Sequence, residues 1–414
     1  MTVPIITAVI NFSTGPSFAN PLILGTGRLG YEALSAGTAV TVDISSLVNS
    51  IEIRRGRNVT GDSFQAGTLS LRLLDVLGNF NPMNVSGPYY GLLNPMRKIS
   101  ITAQFAGVTY GLFSGYITQF STVVPNTAGD LAYTTITATD AFQLLNLASV
   151  TTVTGAVAGE TTSARISRIL DQISWPSSMR EISTGVTTVL ADPTRTAPQS
   201  ALSALQVIET SEFGSMHVNA FGNIVFKNRT QVATSVAGTP TVFSDAGGGI
   251  TYRDAVWVLN GDLIYNSASV TRVGGTAQTA SDAASIALYF QRAVTFSGLM
   301  MQTDLEAASF ARAYVASRKD TVIRCDQLVL DLYTANYDTG IVAALGLDFF
   351  APVTITTTQP NGTSVTKTEQ IFGVQHSITP TSWRTSFTTL EPALDALILG
   401  DSTFGVLGTS VLSY

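Results

Sequence analysis

The sequence is short of charge, of cysteine and of histidine. Only 12% of its 414 residues are charged, about half the usual fraction, while 45% are hydrophobic. That much apolar surface excludes a disordered chain. The single cysteine, Cys325, excludes an internal disulfide framework. With only His217 and His376 beside it, a His/Cys zinc site is excluded too. No apolar run approaches the roughly 18 residues a membrane span needs, so no stable membrane binding is expected. Met1 to Asn20 contains no basic residue and the first is Arg28. A secretory signal needs a positive start, so none is expected and the chain is read as made and assembled in a cytoplasm. The balance of 22 basic against 28 acidic residues, net −6, argues against a basic nucleic-acid footprint. Low charge also leaves a surface that other protein can cover, because few ionised groups need desolvating.

Most of the chain reads as β-structure. Thr, Val, Ile and Gly dominate, and apolar residues alternate in Thr68 to Leu74 (TLSLRLL), Arg97 to Phe105 (RKISITAQF) and Ala132 to Thr139 (AYTTITAT). Two hairpins are signalled, Ser215 to Asn228 turning at Gly222-Asn223 and Val256 to Asn266 turning at Asn260-Gly261. Helices are few. Thr161 to Ile173 places Ile166, Ile169, Leu170 and Ile173 on one face, with Thr161 to Ser163 as caps. Ser200 to Phe213 aligns Leu202, Leu205, Ile208 and Phe213, and Gly214 is the expected left-handed terminator. Asp304 to Ser317 aligns Leu305, Ala308, Ala311 and Val315. The length suggests two to four domains at roughly 150 residues each. The expected division is a β-domain over 1–150, a small α+β domain over 151–235, a second β-domain with helical insertions over 236–400, and a tail over 401–414.

The two β-rich halves resemble each other. The first runs FQAGTLSLRL from Phe64, PMRKISIT from Pro95, FSGYI from Phe113 and AYTTITATD ending at Asp140. The second runs CDQLVLDL from Cys325, PVTIT from Pro352, IFGVQ from Ile371 and WRTSFTTLE ending at Glu391. Pro95 to Pro352 is an offset of 257 and Gly115 to Gly373 one of 258. A near-constant offset points to an internal duplication. A trimer of such chains would present six similar β-domains in a ring.

Motifs for chemistry fail on context. Gly25-Thr-Gly27-Arg-Leu-Gly30 satisfies G-x-G-x-x-G, and Asp43 lies 18 residues past the first glycine. Only Tyr31 to Ala36 separates Gly30 from Gly37, too short for the crossover helix a dinucleotide site needs. Asp75 to Pro82 (DVLGNFNP) offers oxygens around a glycine but lacks the acidic density and closing Glu of a calcium loop. A tight turn is the expected reading. Glu209 and Glu212 share a helix face and cannot flank a sugar across a cleft; a solvated face is expected. Asp140 and Glu391 end equivalent strands and read as structural. His217 and His376 read as hydrogen-bonded structure, Cys325 as a buried small hydrophobe, and Trp257 and Trp383 as core. Arg54-Arg-Gly-Arg57 is too short for a nucleic-acid surface on an acidic chain, which leaves an interface or turn role. No catalytic, cofactor-binding or metal-ligating residue is assigned, and no enzyme activity is expected.

Seven short segments carry a resemblance. Asp43 to Arg57 (DISSLVNSIEIRRGR) is followed by FQAGTL from Phe64, GNFNP from Gly78 and Pro88-Tyr89-Tyr90. Later come GGTAQTASDAASI from Gly274, LGLD from Leu345 and HSITPTSW from His376. Over roughly 40–395 the chain resembles minor tail proteins of long-tailed bacteriophages, the baseplate or tail-tip hub family. The resemblance implies a homotrimer in which each chain carries two tail-tube-like β-barrels, six of which continue the tail tube. It also implies a place at the virion's tail tip and contacts with tube or distal-ring, tape-measure and fibre or tip proteins, with DNA only in passage. Longer hubs add an enzymatic or fibre domain after the second barrel. Here the apolar, Gly-rich stretch Gly400 to Tyr414 follows instead, expected to settle against a neighbouring subunit. Another tail component, a distal-tail ring or receptor-binding protein, and a wall-degrading tail enzyme are the alternatives.

Overall fold

The computed structural model describes residues 3–12, 41–57, 63–126, 130–192, 197–259, 261–333 and 338–391. The first half holds β1 (Ile5–Asn11), β2 (Thr41–Asp43), β3 (Val48–Gly56), β4 (Gln65–Leu74), β5 (Lys98–Phe105), β6 (Val108–Val123), β7 (Tyr133–Thr139) and α1 (Ala141–Leu147). The middle holds β8 (Ser149–Val150), α2 (Thr162–Gln172), β9 (Arg180–Ile182), β10 (Gln199–Ser200), α3 (Ala201–Glu212), β11 (Ser215–Val218), β12 (Ile224–Lys227) and α4 (Arg229–Thr234). The second half begins with β13 (Thr241–Ser244), β14 (Asp254–Val258), β15 (Ser267–Arg272), β16 (Gln278–Ser281), α5 (Ala283–Tyr289), β17 (Ala293–Leu299) and α6 (Asp304–Arg318). It ends with β18 (Arg324–Asp331), α7 (Asp338–Gly346), β19 (Pro352–Thr358), β20 (Ser364–Thr379) and β21 (Ser382–Leu390).

The chain is mainly β, as its composition implies. The alternating segments become β4, β5 and β7, and each buries every second side chain. Thirteen strands form one sheet in the order β14-β18-β21-β20-β3-β4-β7-β6-β5-β1-β2, with β19 beside β20 and β13 beside β19. Six strands from each half pair in the same order. The first half gives β3-β4-β7-β6-β5-β1 and the second β14-β18-β21-β20-β19-β13. The one difference is direction at the end: β1 runs antiparallel to β5, whereas β13 runs parallel to β19.

Instead of two separate closed barrels, the described strands make one continuous sheet with open ends. The cause is β3, which pairs with β4 on one edge and with β20 of the other half on its second edge. The two ladders also match in register. The amide of Ile117 donates to the Arg97 carbonyl (2.8 Å) and its carbonyl accepts from Met96 (2.6 Å). Ile371 does the same with Ala351 (3.1 Å) and Phe350 (2.7 Å). Met96 and Phe350 both sit in the left-handed region, at φ 65° and 67°. One bulge follows each isoleucine, before Gln119 in β6 and before Gly373 in β20. Residues 117 and 371 therefore correspond, 254 apart, so Lys98 and Gln119 stand where Pro352 and Gly373 do. The sequence landmarks, at 257 and 258, were out of register. The glycine landmark is off by four, an even shift that keeps every side chain on its face and that alternating Thr/Val segments hide, whereas the proline landmark is off by three, which changes the face.

Between these strands sit two smaller layers. α2 and α3 pack beside the sheet β11-β12-β9, and the β16-β15-β17 sheet packs against α6. Thr161 caps α2, Ser200 caps α3, and Thr303 with Glu306 forms a capping box on α6. The hairpin at Gly222-Asn223 is present as β11 and β12. Three expectations need correction. Phe213, not Gly214, takes the left-handed position ending α3 (φ 57°), its ring being held edge-on to Phe310. Leu305 is 71% exposed, because α6 buries Ala307, Phe310, Ala311, Tyr314 and Val315 instead. No strand occupies Gly261 to Asn266; the Ile264 amide closes a turn on Gly261, and β14 pairs with β18 rather than with a hairpin mate.

Candidate functional site

The seam between the halves is where the unusual residues converge. β3 and β20 pair antiparallel from Gly56 opposite Gly373 to Ile51 opposite Ile378. The alternation of β3 sends Ile51, Ile53 and Arg55 inward. The buried Arg55 reaches across to Asp348 with two hydrogen bonds, 3.2 and 3.1 Å, and lies over the Phe349 ring (5.0 Å). The guanidinium of Arg57 lies 4.0 Å over Phe372. Ser377 donates to Glu52 across the same pair (2.6 Å). At Gly56 (φ 116°) a side chain would overlap the Phe372 carbonyl oxygen, so the strands close only on glycine. The Arg54–Arg57 cluster is thus an interface element, as its brevity implied. Sequence reasoning missed its partner, although Asp348 sits in the LGLD stretch already singled out.

The third part of the chain enters here too. His217 of β11 packs among the rings of Phe64, Phe349 and Phe350, and Lys227 of β12 lies 4.8 Å from the Phe350 ring. Burial pushes the His217 imidazole down to about 3. It is neutral at physiological pH and enclosed by apolar rings, a packing residue rather than a proton carrier. His376 is held by Thr385 (Nδ1 to Oγ1, 3.0 Å), and burial takes it to about 3 as well.

The remaining candidates are committed to structure. Glu209 and Glu212, expected on a solvated face, are buried. Glu212 accepts from Thr162 Oγ1 (2.7 Å), Val186 N (3.0 Å) and Thr187 N (2.8 Å), tying α3 to the start of α2. Glu209 accepts from Met216 N (2.7 Å), and burial pushes its carboxyl up to about 8. The expectation failed because helix periodicity cannot show that loops and strands cover the second face. Asp75 accepts from Asn79 N, Phe80 N and Thr134 Oγ1, at 2.7 to 2.9 Å, so the DVLGNFNP loop closes on its own carboxylate. Asp140 caps α1 and accepts from Gly67 N (2.6 Å) and Phe142 N (3.0 Å), yet burial still lifts it to about 7. Glu391 likewise follows its strand, β21, and is raised by burial. Cys325 is buried, and burial first, then Glu369, pushes its thiol up to about 12, which leaves no thiolate for nucleophilic work. Trp383 is core, and half-buried Trp257 donates to Thr357 Oγ1 (2.9 Å). Among the described residues no three His, Cys, Asp or Glu side chains cluster as metal ligands. The Gly25–Gly30 motif and the tail from Gly400 lie outside the described residues.

Among the described residues, β6 and β14 each leave a strand edge open. Beyond Ile117, β6 pairs only with β7, so residues 119–124 show no backbone partner on their other edge among the described residues. β14 pairs only with β18. Apolar side chains are exposed at both: Val123 (41%), Val124 (67%), Val256 (44%) and Leu259 (60%).

No protein-family model matches the chain, and no curated protein matches its sequence. Solved structures do share its fold. The 43 kDa tail protein of prophage MuSo2 from Shewanella oneidensis aligns with a TM-score of 0.55 at 12% identity, over 86% of this chain and 97% of that one. The tail protein from Neisseria meningitidis MC58 aligns with a TM-score of 0.57 at 9% identity, over 94% of this chain and 97% of that one. The chain therefore has a fold found in phage tail proteins, along nearly its whole length.

Proposed function

We propose that this chain is a non-enzymatic structural component of a bacteriophage tail tip. It acts as a hub: a homotrimeric ring joins the tail tube to the distal tip and surrounds the channel through which DNA leaves. The observation that carries the reading is the fold shared with two tail proteins over 86% and 94% of this chain. The repeated strand order supports the rest. Two tail-tube-like β-modules, over 1–150 and 236–400, joined through one sheet rather than closed as separate barrels, are read as an internal duplication, with the small α+β part over 151–235 between them. Three copies then supply six modules, the number a hexameric tube presents. The net charge of −6 suits a channel that must release DNA, since a basic wall would gain affinity by counterion release.

The partners are further tail proteins, bound through low-charge surfaces; no cofactor is required. Assembly takes place in the host cytoplasm and the product resides in the virion. Antibody labelling of intact virions tests the reading. Label at the tail end remote from the head, at three copies per particle, is expected. Six copies would indicate a distal-tail ring, and absence from the particle would end the proposal.

A further inference from the structure

The joint inside the chain has an unfilled counterpart. Among the six matched strands of each half, taken in chain order, β3 and β14 are second, pairing with β4 and β18. In the same order β6 and β20 are fifth. Within the chain β3 lies along β20 at residues 373–378. The equivalent strands, β14 and β6, leave the corresponding edges without a backbone partner among the described residues. We propose that β14 of one copy pairs antiparallel with residues 119–124 of a second copy. That contact repeats between chains the joint that β3 and β20 make within one.

The register follows from the ladders. Gln119 corresponds to Gly373, so Val123 and Val124 correspond to Ser377 and Ile378. Ser70 and Gln327 correspond, because they pair with Thr137 and Thr388, the residues opposite Gln119 and Gly373. Their partners on the next strand are Glu52 and Val256. Glu52 faces Ser377 and Ile51 faces Ile378 in the internal joint. Transferred to two copies, Val256 faces Val123 and Ala255 faces Val124. Directly opposed residues of antiparallel strands share a face, so the exposed valines of the two edges would cover each other.

The edges also carry few of the features that keep free edges apart. Lone edge strands carry charges, prolines or bulges that deter pairing. Gln119 to Val124 contains no charge and no proline, and β14 has one charge, Asp254 at its start, and one bulge, after Val256. The contact is head-to-tail, because the two edges belong to different halves. Such contacts build rings when the rotation closes. Closure at three rests on the hub reading; the strand pairing itself does not.

Cysteine bridging tests the pairing. Val123→Cys and Val256→Cys are made in the full chain, singly and together. Cys325 is buried, and the wild type serves as its control. The double variant is expected to oxidise into multi-chain species, and a mixture of the two single variants into a two-chain species. Neither single variant should bridge alone. A protein that associates by light scattering without bridging would overturn the joint and leave the hub reading standing. Self-bridging of Val123→Cys, or no association at any concentration, would also overturn it. Bridging in a protein absent from virion tails would keep the joint and remove the hub reading. Val123→Lys is a second check, since the side chain is already exposed and the fold should survive. Its melting temperature should hold while association weakens about tenfold or more; unchanged association would count against the joint.

Discussion

Arg55 and Asp348, 293 residues apart in the chain, form a two-pronged ion pair across the seam that joins the halves. The arginine side chain is only 5% exposed, the aspartate 37%. Removing the carboxylate leaves a buried guanidinium without its charged partner. Asp348→Ala is expected to cost about 2 kcal/mol, less than a fully buried pair because water reaches the aspartate. Asp348→Asn, which keeps one acceptor, should cost less. Urea unfolding of both variants and of Arg55→Met completes a double-mutant cycle whose coupling should exceed about 1 kcal/mol. Independent, additive effects would mean that the pair does not hold the seam.

The seam also depends on a missing side chain. Gly56→Ala introduces a Cβ against the Phe372 backbone at a φ of 116°. A loss of about 2–4 kcal/mol is expected. Gly107 has a positive φ of 80° but no atom within 4 Å of the added carbon. Gly107→Ala should therefore cost about 1–2 kcal/mol from backbone strain alone. Equal losses in calorimetry would contradict the close approach at Gly56.

Glu212 gathers two backbone amides and one hydroxyl in a site closed to water. Glu212→Ala strands all three donors, and about 3 kcal/mol or more should be lost. Glu212→Gln retains an acceptor and should recover part of that. A neutral alanine variant in chemical denaturation would show that the α2–α3 contact tolerates the loss.

Glu209 sets a pH dependence. Its folded pKa, raised by burial, is about 8 against 4.5 for the free side chain. Its contribution is therefore complete below pH 4.5 and is lost as pH rises through about 8. Asp140 and Glu369, each lifted to about 7 by burial, act with the same sign. His217 and His376 act oppositely: their contribution is complete above pH 6.5 and is lost on descending toward about 3. Above pH 6.5 the carboxyls dominate, so stability should decline toward pH 9. Glu209→Gln should flatten that decline, melting higher than the wild type at pH 9 and close to it at pH 5. Parallel melting curves for the two proteins across this range would refute the assignment.

Local structure was legible where one face of an element decides its pattern. Alternation located β5 and β7 to within a residue and β4 to within three, and the Thr161 and Ser200 caps set the starts of α2 and α3. What was hidden depended on a second covering layer. Glu209 and Glu212 read as solvated because their covers, Met216 and Val186-Thr187, arrive from other elements. The turn at Asn260-Gly261 carried a hairpin signal, but β14 found its partner in β18, more than 60 residues on. The matching strand order of the two halves was not legible in register: the glycine landmark was off by an even shift, after which alternating strands look alike, and the proline landmark by an odd one. The seam needed Arg55 and Asp348 brought together from opposite halves, which no local pattern encodes.

The measurement that bears most directly on the ring is the solution mass of the purified chain by light scattering, taken over a range of concentrations. A species at three times 43.6 kDa, growing in with concentration and then holding, is the expected result. A mass that stays at 43.6 kDa throughout, or that settles at six copies, would contradict a three-chain hub.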